Sequence, residues 1–156
     1  MASDSEKLRE ISIIEGIFDP WQTQKDYQTK SMQGKTNFGA TANFIGTMRD
    51  FNEGDDVSGM ELEHYPQMTE KQLNLIIDIA EEKWPIQNTL IVHRIGKILP
   101  GEPIMLVAVW SAHRAAAFDA CRYLMEELKH RATFWKKEQL SRGNSRWVEK
   151  NTDGFG

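Results

Sequence analysis

The 156-residue sequence predicts a single α+β domain, and three observations carry that assignment. Strand-like and helix-like segments mix without the regular βαβ alternation that builds a parallel sheet. The run Ile104–Trp110 is apolar without interruption, as expected of a central strand covered on both faces. Two longer segments, beginning near Thr69 and Ala112, place their apolar residues at helical spacing. No repeat, low-complexity tract or linker divides the chain, so residues 1–156 are expected to form one domain with flexible ends at 1–10 and 150–156.

Taken in order, Ile11-Ser12-Ile13 opens a first strand, and the polar stretch Trp21–Thr36 reads as a short helix followed by a loop. Gly39–Met48 is a strand whose small residues let backbones approach closely. The next seven residues, Asp50-Phe51-Asn52-Glu53-Gly54-Asp55-Asp56, are polar and turn-rich and are expected to form a mobile loop. Met60–His64 alternates as a strand that Pro66 breaks. Thr69 is placed to cap a helix with Leu73, Ile76, Ile77, Ala80 and Trp84 on its apolar face, stopped by Pro85. Thr89–Ile95 is a β-branched strand expected to turn at Gly96 and again at Pro100-Gly101. After the central strand, a helix over Ala112–Lys129 presents Ala117, Phe118, Cys121, Leu124, Met125 and Leu128 as a buried stripe, with Ser111 as its N-cap. Thr133–Leu140 and Arg146–Glu149 close the fold as two strands around the turn Ser141–Ser145.

Hydrophobic residues at 40% and charged residues at 27% describe a soluble globular chain rather than a disordered one. The first seven residues are polar and lack the apolar run of a signal peptide, and no stretch approaches the roughly 20 apolar residues that cross a bilayer. A cytoplasmic protein with no membrane association is the expectation. A single cysteine, Cys121, rules out a disulfide framework or a cysteine metal cage within one chain. It sits in an apolar helical stripe, where an inert core thiol outweighs a nucleophile. The net charge of −4 hides an asymmetry: residues 1–128 carry 12 Lys and Arg against 20 Asp and Glu, whereas residues 129–150 carry seven against two. Such a basic block suits an anionic partner or a solvated face equally well.

The sequence contains no Gly-x-Gly-x-x-Gly, P-loop or His-Glu-x-x-His pattern, and its histidines at 64, 93, 113 and 130 are scattered singly, so no metal site and no cofactor is implied. His113-Arg114 is more telling. Cations in the first turn of a helix oppose its dipole by a few tenths to about 1 kcal/mol each, so the pair marks either an anion held there with backbone N–H groups or an exposed arginine beside a satisfied histidine. Arg49 ends a strand before the turn-rich segment and can reach into a cleft or stand as a surface charge. Lys129 closes a long helix whose dipole raises a lysine pKa. A reactive amine there requires burial and neighbouring cations, which Lys136 and Lys137 are placed to supply. Alternation puts Lys136 and Glu138 on one face of their strand and Lys137 on the other. Glu61 and Glu63 share a solvated strand face, and Phe134, Trp135 and Trp147 read as core, interface or the wall of a flat heterocycle.

Six segments occur in a specific order: Leu62-Glu63-His64-Tyr65-Pro66, Met68-Thr69-Glu70, His93-Arg94-Ile95-Gly96, Ser111-Ala112-His113-Arg114, Lys129-x-Arg131-Ala132-x-Phe134-Trp135-Lys136 and Arg146-Trp147-Val148-Glu149. Together they resemble the catalytic (large) subunit family of molybdopterin synthase, over about residues 38–149. The resemblance implies an α/β hammerhead-type domain with an additional small antiparallel β subdomain. It implies a sulfurtransferase that moves sulfur from the C-terminal thiocarboxylate of a small ubiquitin-like carrier subunit to cyclic pyranopterin monophosphate (precursor Z), forming the dithiolene of molybdopterin. The implied assembly is a homodimer with a carrier at each end, a heterotetramer whose pocket borrows basic residues across the dimer interface. Carried over position by position, it makes Lys129 the principal catalytic lysine and Lys136 a second essential one. Thr47, Met48, Arg49, His113, Arg114, Lys137 and Glu138 join both lysines as substrate-contacting residues, with His113 a proton shuttle.

The sequence departs from the family pattern at Lys137, where arginine is common, and at Asn151, where a basic residue is expected for the cross-subunit contact, leaving Lys150 or Arg146 as substitutes. Two other classes compete. A single-stranded RNA-binding module would use the basic, aromatic C-terminal block, although the acidic first 128 residues count against nucleic acid. A non-catalytic scaffold for a ubiquitin-like tail would leave Lys129 and Lys136 dispensable.

Overall fold

A computed structural model describes residues 8–148. Of the segments expected to be flexible, residues 1–7 and 150–156 lie outside the described residues, as do Glu149, Lys150 and Asn151, while Arg9 and Glu10 belong to the first strand. The elements run β1 (Arg9–Glu15), α1 (Pro20–Ser31), β2 (Ala40–Thr47), β3 (Phe51–Asn52), β4 (Asp55–His64), α2 (Pro66–Lys83), β5 (Ile86–Ile98), β6 (Pro103–Ser111), α3 (Arg114–Arg131), β7 (Phe134–Leu140) and β8 (Ser145–Val148). The strands form a mixed sheet in the order β2-β6-β5-β4-β7-β8, with β1 parallel on β5 and β3 paired to β4. This is the predicted α+β class.

The thirteen-residue strand β5 organises everything else. Its first part pairs with β6 and β1, and its last residues, Gly96–Ile98, pair with β4. One strand therefore joins the main sheet to a small antiparallel subdomain of β3, β4, β7 and β8. The expected turn at Gly96 does not occur; the strand runs through it with φ of 81°, a left-handed conformation that glycine adopts without strain. A Cβ there would also press on the Glu15 carboxylate. The second expected turn, at Pro100-Gly101, is present within residues 99–102, held by the buried Arg94, whose guanidinium donates to Lys97 O at 3.0 Å, Pro103 O at 3.1 Å and Glu102 Oε1 at 3.3 Å.

The central strand β6 shows why its sequence is apolar throughout. Met105, Val107 and Val109 face α2 and α3, packing with Leu73, Ile76, Ile77, Cys121 and Leu124. The alternate residues Leu106, Ala108 and Trp110 face α1, packing with Tyr27 and Met32. Successive strand residues point to opposite faces, so burial on both faces demands apolar residues at every position. A third cluster of Met48, Val57, Met60, Leu62, Ile98 and Leu140 fills the small subdomain.

Several local expectations are corrected. Residues 50–56 form a β-hairpin rather than a mobile loop: Asn52 pairs with Asp55, and Glu53-Gly54 turn the chain with φ of 51° and 81°. Two successive positive φ values suit the right-handed twist of a hairpin, which is why a polar Glu-Gly pair is enough to build one. The strand before Pro66 ends at His64 as expected, and Pro66 also starts α2, because the first helical turn needs no N–H from it. Thr69 is no cap; it is buried, and its Oγ1 donates to Thr133 O at 3.0 Å, tying α2 to the segment between α3 and β7. Ser111 donates to Pro85 O, and His113 occupies the N-cap of α3 without a side-chain cap bond. Phe118 is 66% exposed, whereas Ala120 takes its predicted place in the stripe. No described helix is long and apolar enough to cross a membrane.

Candidate active site

Three elements converge where the main sheet meets the small subdomain. The buried stripe of α3 ends at Leu128, which sets Lys129 on its flank, facing the end of β6 and the inner face of β7. Strand β7 alternates as predicted: Phe134, Lys136 and Glu138 line the interior, opposite His64, Leu62 and Met60 of β4. From the third side comes the end of β2, where a register shift after Gly46 releases Thr47, Met48 and Arg49. Met48 is pinned by backbone bonds to Glu102 O at 3.0 Å and from Gly101 N at 2.8 Å, and its side chain packs in the third core cluster. The Arg49 guanidinium lies 4.8 Å from the centre of the Phe51 ring.

The result is a cleft of about 280 Å³ lined by Thr47, Met48, Arg49, Lys129, Lys136 and Glu138, with Phe44, Phe51 and Met60 as apolar walls. It continues past Lys129 into a recess of about 60 Å³ backed by Leu62, His93, Leu128 and Phe134. Six of the nine site residues expected from sequence thus come together in one chain.

Burial pushes the Lys129 amine down to about 8, and the positive charges of Lys136 and Arg49 push in the same direction. The predicted need for desolvation and cationic neighbours is met, but Arg49 rather than Lys137 is the second cation. Lys136 is also lowered by burial, yet Glu138 and Glu53 oppose that shift and support its charge. Glu138 is itself buried and fully engaged: Asn52 Nδ2 donates to its two oxygens at 3.1 and 3.2 Å, and Arg146 Nε donates at 3.1 Å. Arg146 further donates to Asp55 Oδ2 at 2.7 Å and Asn52 O at 3.0 Å, so this candidate cross-subunit residue is bound within its own chain.

Three expected residues lie elsewhere. Lys137 points from the outer face of β7, its ammonium 5.6 Å from the Trp147 ring centre. His113 and Arg114 are exposed at the opposite end of α3 from Lys129. The fifteen residues between Arg114 and Lys129 span about 22 Å of helix. Strand β2 gives a second measure, since Ala40 pairs with Ser111 near His113 while Thr47, seven residues along, opens the cleft about 23 Å away. One residue was missed. His93 lines the recess, and the signal was available: two positions after Ile91 on a strand, it must face the same α2–α3 side. Among the described residues no group of three or more His, Cys, Asp or Glu is gathered to hold a metal.

The depressed lysine has a stability signature. The unfolded chain holds this proton to about 10.5 and the folded chain only to about 8. The resulting penalty on folding is complete below about 8 and disappears as pH rises to about 10.5. Lys129→Met, which keeps the aliphatic stem, is therefore expected to melt above the parent chain near neutral pH. The gap should close by about pH 10. Thermal melts of both proteins across that range check this; equal melting points near neutrality would contradict the burial of a charged amine.

Comparisons with known proteins identify the family. Residues 18–131 match the family model described as MoaE protein. The molybdopterin synthase catalytic subunit of Pseudomonas aeruginosa is 48% identical over 139 residues, covering 89% of each chain. That of Ralstonia nicotianae is 53% identical over 116 residues, which span 74% of this chain and 65% of the relative, just under two thirds of it. Among solved structures, the molybdopterin biosynthesis MoaE protein of Burkholderia ambifaria superposes with a TM-score of 0.75 at 40% identity, covering 94% of both chains. The molybdopterin synthase of Staphylococcus aureus gives 0.76 at 34% identity, over 88% of this chain and 95% of the other. With its hammerhead-type sheet, its small antiparallel subdomain and its lysine-lined cleft, the chain belongs to the MoaE family.

Proposed function

We propose that this protein is the catalytic subunit of a cytoplasmic molybdopterin synthase, acting as one domain over residues 1–156. In this reading it transfers sulfur from the C-terminal thiocarboxylate of a small ubiquitin-like carrier to cyclic pyranopterin monophosphate, building the dithiolene of molybdopterin over two carrier visits. The observation that carries the reading is a lysine amine pushed down to about 8 in a cleft that also holds two further cations. Near neutrality a usable fraction of Lys129 is neutral, able to act as a base or nucleophile. Arg49 and Lys136 meet the substrate phosphate, and Phe44, Phe51 and Met60 offer flat apolar walls to the pterin. The sulfur must come from outside, because burial pushes the chain's one thiol, Cys121, up to about 11 in the helix core.

A pocket completed by a second copy accounts for His113 and Arg114. The length of α3 places Arg114 about 22 Å from Lys129, and β2 sets Thr47 of the cleft about as far from the start of α3, so a contribution to the same substrate requires the partner of a homodimer. The nucleic-acid reading loses support at the sheet surface. Trp135 and Lys137 pair across strands with Glu63 and Glu61, which breaks any continuous cationic track for a phosphate backbone.

Two outcomes follow for the assembled enzyme. Light scattering of the isolated chain should give about twice 18.0 kDa, and a strict monomer at micromolar concentration would contradict the shared pocket. In a single-turnover assay with precursor Z and thiocarboxylated carrier, the rate should rise with pH through about 8, following the neutral form of Lys129. Lys129→Arg should abolish most turnover, since guanidinium stays protonated, whereas Lys136→Arg should retain part of it by conserving charge. Near-normal activity in Lys129→Arg would reduce that lysine to an electrostatic anchor.

A further inference from the structure

Of the ionisable side chains lining the recess, Lys129, Lys136 and His93, only His93 has no part in the reaction proposed above. It is 4% exposed and held on several sides. Its Nδ1 lies 2.8 Å from Arg94 O. A carbonyl oxygen only accepts, so Nδ1 carries the proton and the tautomer is set. Phe134 stacks on the ring at 3.8 Å between centroids and 12° between planes, and His64 of β4 stacks on the same Phe134 at 6.2 Å. The ring is neutral at any working pH, because burial pushes it down to about 3. The charges of Lys129 and His64 reinforce that shift, and the bond to Arg94 O opposes it.

A neutral imidazole protonated at Nδ1 has one acceptor left, the Nε2 lone pair. The other recess walls, Met60, Leu62, Ile104, Leu128 and Ala132, offer it no donor side chain. The amines of Lys129 and Lys136 do, and Lys129 interacts electrostatically with the ring. We propose that His93 is a positioning residue for Lys129, its Nε2 accepting a hydrogen bond from the Lys129 amine and so turning the amine's lone pair toward the cleft. The proposal rests on the reading of Lys129 as the reacting amine. An acceptor at this point also favours the ammonium form, so it acts against the desolvation and against the charges of Lys136 and Arg49. It leaves the amine poised between its two states rather than permanently neutral.

The test has one arm that does not depend on activity. In the full chain with nitrogen-labelled histidine, the His93 resonances should report an Nδ1-protonated, neutral ring from about pH 5 to 8, and Lys129→Met should move the Nε2 signal. An Nε2-protonated tautomer, or an Nε2 signal unmoved by Lys129→Met, would overturn the proposal. In the kinetic arm, His93→Phe keeps the stack on Phe134 and loses the acceptor. It should lower the single-turnover rate at the alkaline plateau about tenfold, leave KM for the pterin nearly unchanged and move the pH midpoint below the parent's. His93→Gln, which restores an acceptor, should recover part of the rate. A full plateau rate in His93→Phe, or a reduced rate with an unmoved midpoint, would make His93 a packing residue and likewise overturn the proposal. Failure of the parent reading is separately visible, as retained activity in Lys129→Arg.

Discussion

The desolvation of one amine, that of Lys129, is the constraint on which the site depends. A lysine at the end of a helix gains from the dipole and would ordinarily stay protonated well above neutrality. Here the last turn of α3 is pressed between the end of β6 and the inner face of β7, and Arg49 and Lys136 bring like charge to the same cleft. Burial and like charge both disfavour the ammonium, and together they outweigh the dipole. The arrangement costs folding free energy near neutrality, as expected where function rather than stability sets the choice of residue.

The small antiparallel subdomain divides roles between the two lysines. Glu138 lies two residues from Lys136 on the same face of β7 and supports its charge, whereas burial and the cations Lys136 and Arg49 lower Lys129. Glu138 in turn is fixed by Asn52 of the β3–β4 hairpin and by Arg146 of β8. These bonds tie the hairpin, whose Phe51 walls the cleft, to the C-terminal strand. The Glu138 carboxylate is thus occupied by Asn52 and Arg146, and in the proposed function it serves the site through Lys136 and the hairpin rather than by direct contact. A hairpin in place of a mobile loop also gives Arg49 a fixed root, since Met48 and Asp50 are both bonded through their backbones.

Much of this was legible in the residues. The uninterrupted apolar run at Ile104–Trp110 marks the central strand, and alternation along β7 places Lys136 with Glu138 and away from Lys137. The ordered segments from Leu62 to Glu149 identified the family. What stayed hidden depended on tertiary partners. Gly96 looks like a turn because glycine breaks strands, yet here it lets β5 continue past the Glu15 side chain. Thr69 and Ser111 look like helix caps because hydroxyls cap helices, but their hydroxyls donate instead to the carbonyls of Thr133 and Pro85. For His93, strand alternation with Ile91 gives the face it lies on but not a role, which comes only from the packing of Phe134 and α3 around it. Charge reasoning correctly singled out His113-Arg114 as unusual, but the length of α3 separates that pair from the cleft within one chain.

The account stands or falls on the protonation state of Lys129. The direct measurement is a carbon NMR titration of the lysine Cε signals in the labelled chain, with Lys129 assigned from the signal lost in Lys129→Met. The account predicts a midpoint at about 8, rising when Lys136 is replaced by methionine because one of the neighbouring charges is removed. A Lys129 that titrates near the ordinary lysine value of about 10.5, unmoved by that replacement, would contradict it.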